Sequence, residues 1–170
     1  LASALTSFLL FMRSDSYDQA VFWLLGSFQL AEWGQAATIG PWVVVGLAVS
    51  LWLARDMDLL ALGDETAQAL GSPVRRVRKV FLALSALLAA LAVAASGIIG
   101  FVGLVVPHWV RILIGPGHRT LFAASALAGG TFLVYCDLLA RNLLPAELPI
   151  GVITAAVGAP FFLYLLHKKR

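Results

Sequence analysis

Residues 80–114 restrict this chain more than any other stretch, because Arg111 is the only charged side chain in it. As a single α-helix rising 1.5 Å per residue it would run to about 50 Å, whereas the hydrocarbon core of a bilayer is about 30 Å thick. The stretch must therefore turn back on itself. Gly97, Gly100 and Gly103 mark the turn, since glycine takes up positive φ cheaply and lets another backbone come close. Two spans are predicted, 80–97 and 101–114. The second carries Pro107, which leaves the Gly103 carbonyl without its helical donor and predicts a kink. Such backbone survives at membrane depth only when packed in protein or lining a cavity.

Further apolar runs cover 39–54, 121–140 and 150–166, with a partial span at 1–12. Apolar residues make up 61% of the chain and charged residues 12%, against about half and about a quarter in soluble domains. The bilayer is the solvent, and the predicted class is an all-α integral membrane protein: a polytopic helical bundle of about five to six membrane helices. The chain opens at Leu1 inside an apolar stretch, without the basic flank and small-residue cleavage site of a signal peptide, and is read as part of a longer chain. The single cysteine, Cys136, cannot form an intrachain disulfide and reads as a small buried hydrophobe.

The net charge of +3 does not point to nucleic acid, because the basic residues sit in short clusters at the ends of apolar runs. Alternating the spans places ten of the twelve on one side: Arg55, Arg75, Arg76, Arg78, Lys79, Arg111, Arg119, Lys168, Lys169 and Arg170. Arg13 and Arg141 remain on the other. Basic residues favour short cytoplasmic loops, so 55–79, 115–119 and the C-terminus are expected in the cytoplasm, with 13–38 and 141–149 outside. Residues 17–28, with Trp23 and Trp33 nearby, read as an amphipathic stretch at the lipid interface.

Between the second and third spans the chain punctuates itself. Asp58 can cap a short helix that Gly63 ends, and Asp64 can cap a second that Gly71 and Pro73 end. Helices this short are marginal alone. Leu59, Leu60, Leu62, Ala67 and Leu70 offer an apolar face for a partner or the membrane surface; a plain surface loop is the alternative.

His108 and Arg111 stand one turn apart, and no second His, Cys or carboxylate lies at ligand spacing near them, so packing or snorkelling to the headgroups is expected, not a metal site. His118 and His167 lie in basic ends. Gly151, Ala155 and Ala159 form a small-residue ridge on the last span, either for packing within the chain or for another subunit. Thr154 either faces a path or bonds its own backbone. There is no phosphate loop ending in Lys-Ser/Thr, no nucleophile beside a base and no intramembrane carboxylate pair. Neither enzyme activity nor a bound cofactor is expected.

Four motifs in order, LGDETAQALG (62–71), SGIIGFVGLVVPHWVR (96–111), GPGHR (115–119) and AELPIGVITAAVGAPFFLYLL (146–166), resemble the C-terminal half of the FecCD-type permeases of iron-siderophore and vitamin B12 importers. The resemblance covers essentially the whole chain. It implies a ten-span permease in the plasma (inner) membrane, paired with a second permease subunit as homodimer or heterodimer. Its other partners are two ATPase subunits, which carry out ATP hydrolysis, and a periplasmic or lipid-anchored substrate-binding protein. This chain supplies one permease domain over 1–170, with a cytoplasmic coupling loop at 56–76. Implied for ATPase coupling are Asp58, Leu59, Leu62, Gly63, Asp64, Glu65, Ala67, Leu70 and Gly71. Arg141 is implied for docking the binding protein, where capping its helix or snorkelling is the plain alternative. Gly100, Gly103, Pro107, Gly151, Thr154, Ala155 and Ala159 are implied for helix packing and the translocation path. The cargo is a ferric siderophore or related chelate, with haem or vitamin B12 as alternatives and a non-transporting remnant as the contrasting reading.

Overall fold

A computed structural model describes residues 23–29, 31–143 and 148–168. Seven helices have described bounds, in chain order: α1 Trp33–Trp52, α2 Ala54–Leu60, α3 Asp64–Ala69, α4 Val74–Ser96, α5 Val102–Ile114, α6 His118–Asn142 and α7 Ile150–Lys168. No strand occurs among the described residues. Three helices, α1, α4 and α6, are long and apolar enough to cross a bilayer, while α5 and α7 are shorter apolar helices. The expected span at 1–12 lies outside the described residues, as does the first half, 17–22, of the interfacial stretch at 17–28.

The long apolar stretch does turn back. α4 ends at Gly97, which takes φ 69° and ψ −161° and closes on the Val93 carbonyl. Gly100 and Gly103, by contrast, do not adopt positive φ: that conformation falls on Phe101, at φ 65°. Gly103 lies inside α5, which continues through Pro107. The reason lies in packing, because the Phe101 side chain occupies the notch where Gly158 of α7 lacks a Cβ.

α1 begins six residues earlier than the apolar run starting at 39. Gly34, Gln35 and Thr38 break the apolar pattern ahead of that run, yet Thr38 Oγ1 donates to the Gly34 carbonyl at 2.8 Å. A hydroxyl tied back to its own helix is carried into an apolar setting without an unmet donor.

The core sits where α5, α6 and α7 meet. Cys136 and Ala140 pack with Ile150 and Ile153, and Val106 and Val110 pack with Leu121. Trp109 meets both Phe132 and Phe161 edge-on. α6 is the central element, touching α1, α2, α5 and α7, whereas α4 packs mainly on α1, α2 and α3. Only Val74 and Val77 of α4 are buried. A helix apolar all round yet uncovered faces lipid or further protein.

Candidate functional site: a braced pair of short helices

At the basic end of the bundle, α2 and α3 form a tight elbow. Gly63 turns between them at φ 107° and ψ 152°, a conformation essentially restricted to glycine. α3 then ends in a full Schellman motif: Gly71, at φ 86°, donates to Gln68 at 2.9 Å, and Ser72 donates to Ala67 at 2.9 Å. The two glycines thus stand where the sequence placed the helix ends.

The aspartates do something different from the capping expected of them. α2 starts at Ala54 with Leu53 before it, and α3 starts at Asp64 with Gly63 before it; neither has a side-chain cap. Asp58 is the fifth residue of α2, too far along to cap it. Its Oδ1 instead accepts the His118 backbone N–H at 2.9 Å, capping the first turn of α6, and meets the His118 ring Nδ1 at 2.6 Å. Burial raises the Asp58 carboxyl pKa, but the hydrogen bonds from the His118 backbone and ring, with the ring's charge, outweigh it and hold the carboxyl below its ordinary value. Asp64 takes a forked contact from Arg78 Nη2 at 2.9 and 3.1 Å, joining α3 to α4. Ser72 Oγ donates to Asp56 Oδ1 at 2.7 Å, joining the α3–α4 turn to α2.

The apolar residues of the elbow divide. Ala67 is fully buried within the chain, whereas Leu62 and Leu70 are 65% and 59% exposed. Leu59 and Leu60 are half-buried, and Glu65 is exposed. A groove of about 460 Å³ lined by Gln68, Ser72, Pro73, Val74, Arg75 and Arg76 runs alongside. The elbow is a pair of short helices braced by three polar ties, with two exposed leucines.

The opposite end is stitched by backbone. Ser27 N–H donates to Ser96 at 2.9 Å and Ile98 N–H to Trp23 at 3.2 Å, with Gly151 N–H reaching Gly26 at 3.5 Å. A Cβ on Gly97 would strike the Trp23 carbonyl, and one on Gly151 the Leu25 carbonyl. Gly151 is therefore a crossing point for residues 23–27, and Ala155 and Ala159 follow it half-buried. Gly26, Phe101 and Gly158 belong to this junction and were not singled out from the sequence. The seven-residue spacing of Gly151 and Gly158 was the available signal, since it puts both on one helix face. Thr154 is buried and donates to the Gly151 carbonyl at 3.2 Å, so it bonds its own backbone here. Arg141 Nε donates to Asp137 Oδ2 one turn earlier at 2.9 Å, with 46% of the arginine side chain exposed. His108 meets Phe161 edge-on. Among the described residues no three His, Cys, Asp or Glu groups converge as metal ligands.

An all-helical chain with several apolar spans and a braced short-helix elbow at one end is a polytopic membrane protein of transporter type. The chain belongs to the FecCD transport family, whose model matches residues 1–168. It is 46% identical over 170 residues to the cobalamin import system permease protein BtuC of Halobacterium salinarum, covering 100% of this chain and 46% of that one. The iron(3+)-hydroxamate import system permease protein FhuG of Bacillus subtilis is 42% identical over 162 residues, covering 94% and 48%. The hemin transport system permease protein HmuU of Yersinia pestis is 41% identical over 172 residues, covering 100% and 52%. A solved structure described as an inward-facing conformation of a metal-chelate type ABC transporter superposes with a TM-score of 0.85 at 37% identity, covering 98% of this chain and 55% of that one. The chain thus spans about half the length of the curated relatives it matches.

Proposed function

We propose that this chain is part of the membrane-spanning permease of an ATP-binding-cassette importer that carries a ferric siderophore or related metal chelate across the inner membrane. The observation that carries the reading is the braced elbow within a chain of this family. Two short helices with outward leucines and three polar ties are built to take a load from a partner. That partner is a separate ATPase subunit, with a binding protein on the far face and a second permease subunit completing the path. Relatives named for cobalamin, hydroxamate, ferric citrate and hemin span only 39 to 46% identity to this chain, so similarity alone does not rank the cargoes. Uptake of labelled ferric citrate, ferric hydroxamate, hemin and cobalamin by cells carrying the complete transporter tests the reading. ATP-dependent uptake of one of them is expected, and uptake of none overturns it.

The basic bias puts the elbow in the cytoplasm. Glu65→Cys, on the exposed surface of α3, should react with an impermeant thiol reagent only after the inner membrane is opened. Ser72, although in the same segment, is only 6% exposed and would report poorly. Native Cys136 is buried and contributes little background. Labelling of Glu65→Cys in sealed cells would reverse the topology.

Arg141 is the docking residue for the binding protein in this reading. It stands in the last turn of α6, where a cation is favoured by the helix C-terminus, and Asp137 at the preceding turn orients it. A partly exposed charge at a rim acts mainly on association rate and salt dependence. Arg141→Glu should weaken binding-protein affinity at low salt by roughly tenfold and flatten its salt dependence, with folding intact. Identical affinity and salt slope in both proteins would leave Arg141 only its place on the helix.

A further inference from the structure

On the reading of the elbow as the ATPase-docking element, we propose that Asp58 and His118 form a strut that passes the elbow's displacement into α6. Of the elbow's three polar ties, two brace it locally. Asp56–Ser72 ties α2 to the turn after α3, and Asp64–Arg78 joins α3 to the helix that follows it in the chain. Asp58–His118 alone spans 60 residues of sequence and reaches a helix that begins elsewhere.

The destination of each tie decides what it can move. α4 packs mainly on α1, α2 and α3, with Phe81 stacked on Phe122 of α6, and most of its surface is uncovered. A displacement delivered to α4 therefore enters little of the bundle. α6 touches α1, α5 and α7 as well as α2, and both core clusters include its side chains. A push on its first turn is delivered to α1, α5 and α7.

The joint is also built to hold. A carboxylate at a helix N-terminus meets the positive end of the helix dipole and an otherwise orphaned N–H, and hydrogen bonds to an ionised acceptor are the strong class. The ring that completes the joint is only 15% exposed. Phe122, one turn further along α6, lies against it at 5.8 Å, and Phe81 of α4 stacks on Phe122 at 5.8 Å. Helix α6 supplies both donors to Asp58 Oδ1, so the carboxylate grips the helix end as well as a side chain. Asp58 and His118 are positioning residues: they touch neither nucleotide nor cargo.

The test uses the complete transporter, with its ATPase subunits and binding protein, in liposomes loaded with whichever of the four labelled cargoes the wild type takes up. Each permease carries Leu62→Cys, on the exposed side of the elbow, for cross-linking to the ATPase. Asp58→Ala, His118→Ala and the double variant are expected to cross-link as the parent does. Cargo moved per ATP hydrolysed should fall about tenfold in Asp58→Ala, within the range over which one residue changes coupling between sites. The double variant should be no worse than Asp58→Ala, because the two residues act as one unit. Asp58→Asn keeps an oxygen for the His118 N–H and should lose less; it also carries the test should Asp58→Ala fail to assemble. A wild-type ratio of cargo to ATP in Asp58→Asn and His118→Ala, with cross-linking retained, overturns the strut and leaves docking standing. Absence of the cross-link in the parent overturns docking, and the strut with it.

Discussion

Gly97→Ala should destabilise the folded chain by about 4 kcal/mol, combining a backbone cost of roughly 1–3 kcal/mol with overpacking of similar size. Gly97 holds φ 69° and ψ −161°, a conformation that costs any residue with a Cβ. The added methyl would also point into the Trp23 carbonyl. That carbonyl cannot simply give way, because it accepts the Ile98 N–H at 3.2 Å. Moving it breaks that bond, and losing a hydrogen bond at membrane depth adds to the cost. Gly103→Ala is the matched control, since Gly103 is helical and a Cβ there meets nothing within 4 Å. Replacing an unstrained helical glycine by alanine should be neutral or stabilising by up to about 1 kcal/mol. Denaturant titration of both variants in the same detergent measures the difference. Equal midpoints for Gly97→Ala and the parent would show that residues 23–27 do not pack on the turn as described.

Most of what a bilayer enforces was readable from one sequence, because apolar length and the cost of unpaired backbone act on every residue of a span. The turn within 80–114 followed from length alone. Its details did not: φ turned positive at Phe101 because Gly158, 57 residues away in the numbering, leaves room for the ring. The elbow shows the same division. Gly63 and Gly71 stand at helix ends as local rules require, since positive φ is a property of one residue. Asp58 looked like a cap for its own helix, and the carboxylate does cap a helix, but one that begins at His118. Local spacing identifies the chemistry a side chain can perform, and only tertiary packing decides for which helix. Thr38 and Thr154 make a related point. Both hydroxyls bond the carbonyls of their own helices, so a hydroxyl did not mark a helix boundary at Thr38.

Gly71→Val should leave the bundle folded while cutting the stimulation of ATP hydrolysis by loaded binding protein about tenfold in the complete transporter. A Cβ at Gly71 meets nothing within 4 Å, so bulk is not the difficulty. The difficulty is φ 86°, where a β-branched residue is a true outlier. Valine will pull the backbone toward negative φ and open the Schellman closure, in which Ser72 N–H bonds Ala67 and Gly71 N–H bonds Gln68. Ser72 also ties Asp56 at 2.7 Å, so releasing it loosens α2 and α3 together. Neither core cluster includes a residue of the elbow, which is why folding should survive. Docking needs the elbow as one rigid piece, and a partner's motion is absorbed when that piece flexes. Gly71→Asn separates conformation from composition, because asparagine tolerates the left-handed region far better than valine. Near-normal stimulation in Gly71→Asn beside a large loss in Gly71→Val would place the effect in the backbone turn. Full stimulation in a well-expressed Gly71→Val transporter would mean that the end of α3 can flex without cost, and that the elbow does not carry the load.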